Sequence, residues 1–249
     1  MAPQTSVLNS AWVRRFHPAP EAAHRVVCFP HAGGSASFYF SLSQMLSSDA
    51  DVLAVQYPGR QDRRHERCVD SVAELADTLA GELWPWLDRP VTFFGHSMGG
   101  SVAFEVAARL EARGAALHAL VVSGRRAPSR TRDEGTYLKD DAELLDQMVR
   151  LGGTDRRVLS DPELLRMVLP MVRSDYRAAE TYRPAPGTGL TCPVHVLTGD
   201  ADPQVTLDEA ADWKRHTTGP CTVKVFPGGH FYLTGHMAEV AATVVSGLG

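Results

Sequence analysis

This sequence of 249 residues predicts an α/β fold, a mostly parallel sheet with helices on both faces. Three observations predict it. Short apolar runs alternate with runs of helical period along most of the chain. Glycine-rich loops follow some of the apolar runs. The composition, 44% hydrophobic and 22% charged, is ordinary for a soluble globular protein.

The elements read in order. Arg25–Phe29 is a strand, followed by the loop Pro30-His31-Ala32-Gly33-Gly34. Ser37–Leu46 is a helix and Val52–Tyr57 the next strand. Ser71 and Glu74 have capping-box spacing and open a helix towards Leu83. Val91–Phe94 is short, apolar and rich in strand formers. Val102, Ala103, Val106, Ala107 and Leu110 then repeat at helical spacing up to the helix stop Gly114. Leu117–Ser123 is a strand. Val194–Thr198, a helix near Leu207–His216, the strand Thr222–Phe226 and a helix from about Met237 complete the alternation.

The gap between Ser123 and Val194 is too long for a simple crossover. Ala142–Leu151 and Glu163–Tyr182 within it look helical, with a second capping box at Ser160 and Glu163, and Pro170 is expected to kink or split the later run. The expectation is one domain over residues 1–249 with a helical lid insertion at about 128–184. In a doubly wound sheet, ligands bind at the carboxyl ends of the strands, and an insertion leaving that edge can fold back over them. Its apolar residues (Leu144, Leu145, Met148, Leu165, Met167, Val168, Leu169, Met171, Val172 and Tyr176) are expected mostly to pack on each other, with a minority facing an acyl-chain pocket.

Several function classes are excluded or disfavoured. Net charge is −4, and no nucleic-acid motif is present. Met1–Trp12 has neither the basic start nor the apolar core of a signal peptide, and no apolar run approaches a membrane span. The four cysteines, Cys28, Cys68, Cys192 and Cys221, lack metal-type spacing and read as buried free thiols, which fits a cytoplasmic location. No cofactor or metal is expected.

The run Gly95-His96-Ser97-Met98-Gly99 reads G-x-S-x-G between a strand and a helix. A serine on such a turn is forced into a strained conformation with its hydroxyl exposed, and the flanking glycines let neighbouring backbones come close. The helix start also aims backbone N–H groups at the site. The competing reading is a glycine turn whose serine only caps the helix. With Ser97 as nucleophile, the α/β-hydrolase fold places an acid and then a histidine downstream. Of His118, His195, His216, His230 and His236, His230 fits best, because the glycines of Pro227-Gly228-Gly229 let its loop swing over the strand ends. Asp202 and Asp200 compete as the acid; Asp202, deeper in the turn and followed by Pro203, is favoured, with Asp200 as a turn-former bonding its own backbone. Met98 supplies one oxyanion N–H. Ala32 supplies the second, with Gly33 as the alternative. His31 and His96 read as loop-orienting residues.

These residues together resemble the type II thioesterases that accompany polyketide synthases and non-ribosomal peptide synthetases. The matching segments are Phe29–Ala36, Gln56-Tyr57-Pro58-Gly59-Arg60, Gly95–Gly100, Ser123–Pro128, Leu197–Pro203 and Gly228–Phe231. The resemblance implies a stand-alone α/β hydrolase with a helical lid, the triad Ser97, Asp202 and His230, and hole donors Ala32 and Met98. It implies acyl or peptidyl carrier proteins as partners, with acyl-CoA as a surrogate substrate. The arginine clusters Arg60, Arg63, Arg64, Arg67 and Arg125, Arg126, Arg130, Arg132 are candidate docking patches for an acidic carrier, diluted by Asp62, Glu66, Asp133 and Glu134. A carboxylesterase or lipase, an acyltransferase and a non-catalytic carrier-binding module are the competing functions.

Overall fold

A computed structural model describes residues 10–132, 134–153 and 161–246. Among them seven strands form one sheet: β1 (Val13–Arg14), β2 (His24–Phe29), β3 (Ala50–Val55), β4 (Val91–His96), β5 (Ala119–Ser123), β6 (Val194–Gly199) and β7 (Cys221–Phe226). The spatial order is β1-β3-β2-β4-β5-β6-β7, and every pairing except β1 with β3 is parallel. The helices are α1 (Phe40–Leu46), α2 (Val72–Leu83), α3 (Met98–Ala112), α4 (Asp141–Leu151), α5 (Pro162–Thr181), α6 (Leu207–Ala211) and α7 (Met237–Ser246).

Successive strand residues serve opposite faces, as the period of two requires. Val27, Phe29, Phe93, Leu120 and Val122 join α2 and α3 in one core. Val26, Cys28, Phe94, Val121 and Leu197 join Leu42 and Leu46 of α1 and Val240 and Val244 of α7 in the other. The central strands β2, β3, β4 and β5 are buried on both faces, which is why they read as nearly continuous apolar runs. Because the strands are parallel, the loops after β2, β4, β5, β6 and β7 gather at one edge. Between β5 and β6 the chain leaves the sheet and forms α4 and α5, which share a smaller apolar cluster built on Leu144, Met148, Leu169, Met171 and Val172.

The structure departs from the sequence reading in a few places. The strand expected at Val52–Tyr57 spans Ala50–Val55, and Gln56 and Tyr57 lie beyond its end. The helix expected from Ser37 begins as a 3-10 turn at Ala36–Tyr39. Strand β1 was not foreseen, since two residues carry no periodicity. At the start of α2, Ser71 Oγ accepts the Glu74 N–H at 3.3 Å, but the Glu74 carboxylate turns to Arg67 at 2.9 Å. Only half of that capping box forms, because a guanidinium offers a carboxylate a stronger donor than a backbone amide does. Ser160 lies outside the described residues; Asp161 caps α5 instead, accepting from Glu163 N–H at 2.8 Å. Pro170 neither splits nor ends α5, which runs through it from Pro162 to Thr181. The proline is exposed, so water can satisfy the carbonyl that its missing N–H leaves free.

Two glycine-to-alanine changes should have opposite effects. Gly81 in α2 has nothing within 4 Å of an added Cβ, so Gly81→Ala should raise the urea midpoint by about 0.5–1 kcal/mol in stability. At Gly99 an added Cβ would sit 2.0 Å from the Phe29 carbonyl oxygen, so Gly99→Ala should lower stability by about 2 kcal/mol or more in the same titration.

Candidate active site

Gly95-His96-Ser97-Met98-Gly99 forms the tight turn from β4 into α3. Ser97 has φ 54° and ψ −121°, a conformation that a non-glycine residue holds only when its surroundings over-determine it. The surroundings do so here. Ser97 N–H donates to the Ser123 carbonyl of β5 at 2.8 Å, and the Ser97 carbonyl accepts from Gly100 at 2.9 Å. A Cβ on Gly95 would lie 2.3 Å from the Gly99 oxygen, so no other residue type fits that crossing. The Ser97 side chain makes no capping bond to α3, which removes the reading of Ser97 as a mere helix cap. Its Oγ instead lies 2.9 Å from His230 Nε2.

His230 sits in the loop after β7 and is 4% exposed. Its Nδ1 faces both Asp202 carboxylate oxygens, at 3.0 and 2.9 Å. The Asp202 carboxylate has no solvent exposure and also accepts the Gln204 N–H at 2.8 Å. Ser97, His230 and Asp202 thus form one hydrogen-bonded row built from loops of three different strands. Asp200 stays out of it. Its carboxylate accepts the Gly228 N–H at 2.8 Å and so holds the His230 loop, rather than bonding its own neighbourhood as expected. The other histidines lie elsewhere: His195 Nδ1 is 2.9 Å from Thr222 Oγ1, His216 Nε2 is 2.8 Å from Ser129 Oγ, and His236 Nδ1 is 3.0 Å from Glu239. His118 packs edge-on against His24.

The loop after β2 brings Ala32 and Gly33 to the same cavity as Ser97 and His230. Met98 opens α3, where first-turn N–H groups lack an intrahelical acceptor. The Gly33 N–H is already committed to Asp175 Oδ2 at 2.7 Å, which favours Ala32 as the loop's donor. The segment Gln56-Tyr57-Pro58-Gly59-Arg60 cradles this loop. Gln56 Oε1 accepts the Ala36 N–H at 2.9 Å, Tyr57 Oη reaches the Pro30 carbonyl at 3.4 Å, and Arg60 Nη1 donates to the Gly34 carbonyl at 2.8 Å. The sequence reading missed this role of Arg60 and did not single out Asp175 at all. No local signal pairs residues so far apart in the chain, although a buried arginine seldom lacks a counter-charge.

The cavity measures about 770 Å3. Met148, Met167, Val168, Met171, Val172 and Tyr176 of α4 and α5 contribute its apolar wall, more of the insertion's apolar set than expected. The arginine clusters are largely paired within the chain, although Arg67 and Arg130 make their pairs at the surface. Arg60 pairs with Asp175, and Arg63 is buried between Glu66 and the ring of Trp12. Arg67 pairs with Glu74, Arg126 with Glu134, Arg130 with Asp212 and Arg132 with Glu209. Burial pulls Arg125 down to about 10, and it donates to Ser101 Oγ and the Ala179 carbonyl. Arg64 remains exposed at the cavity mouth. Among the described residues no group of His, Cys, Asp and Glu is placed to hold a metal, and no helix is long and apolar enough to cross a membrane. All four cysteines are free; Cys28 and Cys192 are buried, whereas Cys68 and Cys221 are half-buried.

Two further imidazoles line up behind His230. His96 lies 5.0 Å from it and His31 5.9 Å from His96, centroid to centroid. His96 Nδ1 is 3.0 Å from Ser123 Oγ, which shares a 2.6 Å hydrogen bond with Tyr232 Oη. His31 acts by packing instead, against Phe38 and Phe231. Burial, and then the neighbouring His230, push His31 down to about 3 and His96 well below the usual imidazole range. An unfolded histidine titrates near 6.5, so below that pH the unfolded chain binds protons that the fold refuses. The stabilisation is therefore complete above about pH 6.5 and is lost as pH falls towards the folded value. His31→Phe should shrink the stability lost between pH 7 and pH 5 by about 2 kcal/mol, read as the difference between urea midpoints at the two pH values.

Comparison with known proteins bears on this arrangement. A thioesterase domain model matches residues 24–246. Thioesterase PikA5 of Streptomyces venezuelae is 52% identical over 237 residues, covering 94% of this chain and 84% of its own. A probable cadicidin biosynthesis thioesterase of Streptomyces griseus is 50% identical over 249 residues, covering 99% of this chain and 69% of its own. The solved structure of the type II thioesterase BorB, from the borrelidin biosynthetic cluster, superposes with a TM-score of 0.91 at 49% identity, covering 97% of this chain and 99% of that one. The chain belongs to the thioesterase family and has its α/β-hydrolase fold.

Proposed function

We propose that this protein is a type II thioesterase that hydrolyses aberrant or stalled acyl groups from the phosphopantetheine thiol of acyl or peptidyl carrier proteins in polyketide or non-ribosomal peptide assembly. The observation that carries the reading is the row Ser97–His230–Asp202 with its hydroxyl end at a cavity of about 770 Å3, to which α4 and α5 give an apolar wall. A cavity of that size suits a small to medium acyl chain. The helices α4 and α5 act as the lid of one domain.

The geometry supports a two-step reaction. His230 Nε2 takes the Ser97 proton as Oγ attacks the thioester carbonyl, and Asp202 holds the ring with Nδ1–H towards the carboxylate. The N–H groups of Ala32 and Met98 receive the charge that develops on the carbonyl oxygen. The tetrahedral adduct collapses to a seryl ester as the C–S bond breaks, and the carrier's thiolate, a better leaving group than an alkoxide, takes the proton from His230. The neutral His230 then deprotonates water as it attacks the ester, and returns that proton to Ser97 Oγ as the free acid leaves. Acyl-CoA carries the same thioester on the same pantetheine arm and serves as a surrogate.

Turnover of a short acyl group on a holo-carrier protein tests the reading. Ser97→Ala should lose more than about 10⁴ in kcat, and Ser97→Ala with His230→Ala should be no slower than either change alone. Wild-type activity that favours aryl esters over acyl-carrier would make the protein an esterase instead. For docking, Arg63 is structural, so charge reversal belongs at Arg64 alone. Arg64→Glu should raise KM for acyl-carrier several-fold and leave KM for acyl-CoA unchanged; equal changes for both would remove Arg64 from the carrier's footprint.

A further inference from the structure

One helix walls the cavity and also grips the loop that carries the oxyanion donor. Asp175, on α5, has no solvent exposure. Its Oδ2 accepts from the Gly33 N–H at 2.7 Å and from Arg60 Nη1 at 2.8 Å, and its Oδ1 accepts from Arg60 Nη2 at 2.9 Å. Arg60 Nη1 also donates to the Gly34 carbonyl at 2.8 Å. Carboxylate and guanidinium therefore hold the backbone immediately after Ala32 at two points. Val172, about one turn earlier on α5, closes the third side: a Cβ on Gly33 would lie 3.1 Å from its Cγ2.

These bonds fix a direction. Gly33 has φ +77°, and its N–H belongs to the peptide plane that it shares with Ala32. Holding that N–H on Asp175 sets the ψ angle of Ala32. The Gly34 N–H closes the turn on the His31 carbonyl at 2.9 Å. The orientation of Ala32 is thus constrained from both sides. The choice of charges also matters. A lone buried carboxylate beside this loop would oppose negative charge growing on a substrate oxygen. Bidentate pairing with Arg60 cancels that field while keeping the acceptor in place.

We infer that Asp175 is a positioning residue for the hydrolysis: together with Arg60 it holds the Ala32–Gly34 turn so that the Ala32 N–H faces the developing oxyanion, and Arg60 neutralises the carboxylate that does the holding. This role rests on Ser97 and Ala32 acting as proposed above. A purely structural clamp would tie α5 to the sheet and affect only stability. A positioning clamp changes kcat.

The experiment compares Arg60→Gln, Asp175→Asn, their double variant and Asp175→Glu, with kcat counted per site titrated by a fluorophosphonate, so that misfolded protein drops out. Arg60→Gln leaves the carboxylate uncompensated and should lower kcat on acyl-CoA about 100-fold with KM within about twofold of wild type. The inhibition constant of a trifluoromethyl ketone, which forms an oxyanion on Ser97, should rise by a similar factor. The double variant restores neutrality and should recover at least about tenfold in kcat over Arg60→Gln. Asp175→Glu keeps the charge pair and displaces the acceptor by one methylene; it should slow kcat about tenfold, and it decides the question if the other variants do not fold. Wild-type kcat per titrated site, with only a lower Tm, would overturn the inference while a dead Ser97→Ala leaves the thioesterase reading intact. Full turnover by Ser97→Ala would overturn both.

Discussion

The site depends on one close backbone crossing, where the first turn of α3 passes over the end of β2. At Gly99 the helix backbone lies so near the Phe29 and Pro30 carbonyls that an added Cβ would meet them at 2.0 and 2.7 Å. That crossing keeps the β2 loop beside the elbow, and so Ala32 beside Ser97. The strained Ser97 backbone costs about 1–3 kcal/mol. It is offset by the burial of nearly the whole of α3, which contributes Val102, Ala103, Phe104, Val106, Ala107 and Leu110 to the core. The helix that pins the serine is thus one that the fold cannot release.

Part of each arginine cluster turns inward: Arg60, Arg63 and Arg126 are buried against carboxylates or carbonyls, whereas Arg64, Arg67 and Arg130 stay exposed. The imidazoles behind His230 are kept neutral by burial, so they pack beside its ring without adding charge of their own. The cavity beside Ser97 combines the apolar wall from α4 and α5 with charged groups, among them Arg125, Arg126, Glu134 and Glu180.

The sequence made the reacting residues legible because each sits in a local motif. The elbow, the glycine-rich loop after β2 and the loop around His230 all announce their backbone geometry within a few residues, and the glycines before His230, at the end of a strand, select it over the other histidines. Asp202 was separable from Asp200 by its place in the turn, although the actual task of Asp200, holding Gly228, requires a strand 28 residues away. The partners of Arg60 were illegible for the same reason at a larger scale. Asp175 lies 115 residues downstream, on a helix whose placement over the sheet no local pattern specifies. Pro170 does not split α5, because packing of the helix's apolar face outweighs the local cost of the proline.

The serine and the base are tied to the molecule with unequal strength. Ser97 stands at the end of β4, in the middle of the sheet, whereas His230 hangs from β7, which among the described residues is an edge strand paired only with β6 and leaves Val223 and Val225 more than 40% exposed. Partial openings of a protein start where contacts are few, and such an edge is that kind of place. Fraying of β7 would draw His230 away from Ser97 while the elbow and both main cores persist, so the row of three side chains is undone before the fold is.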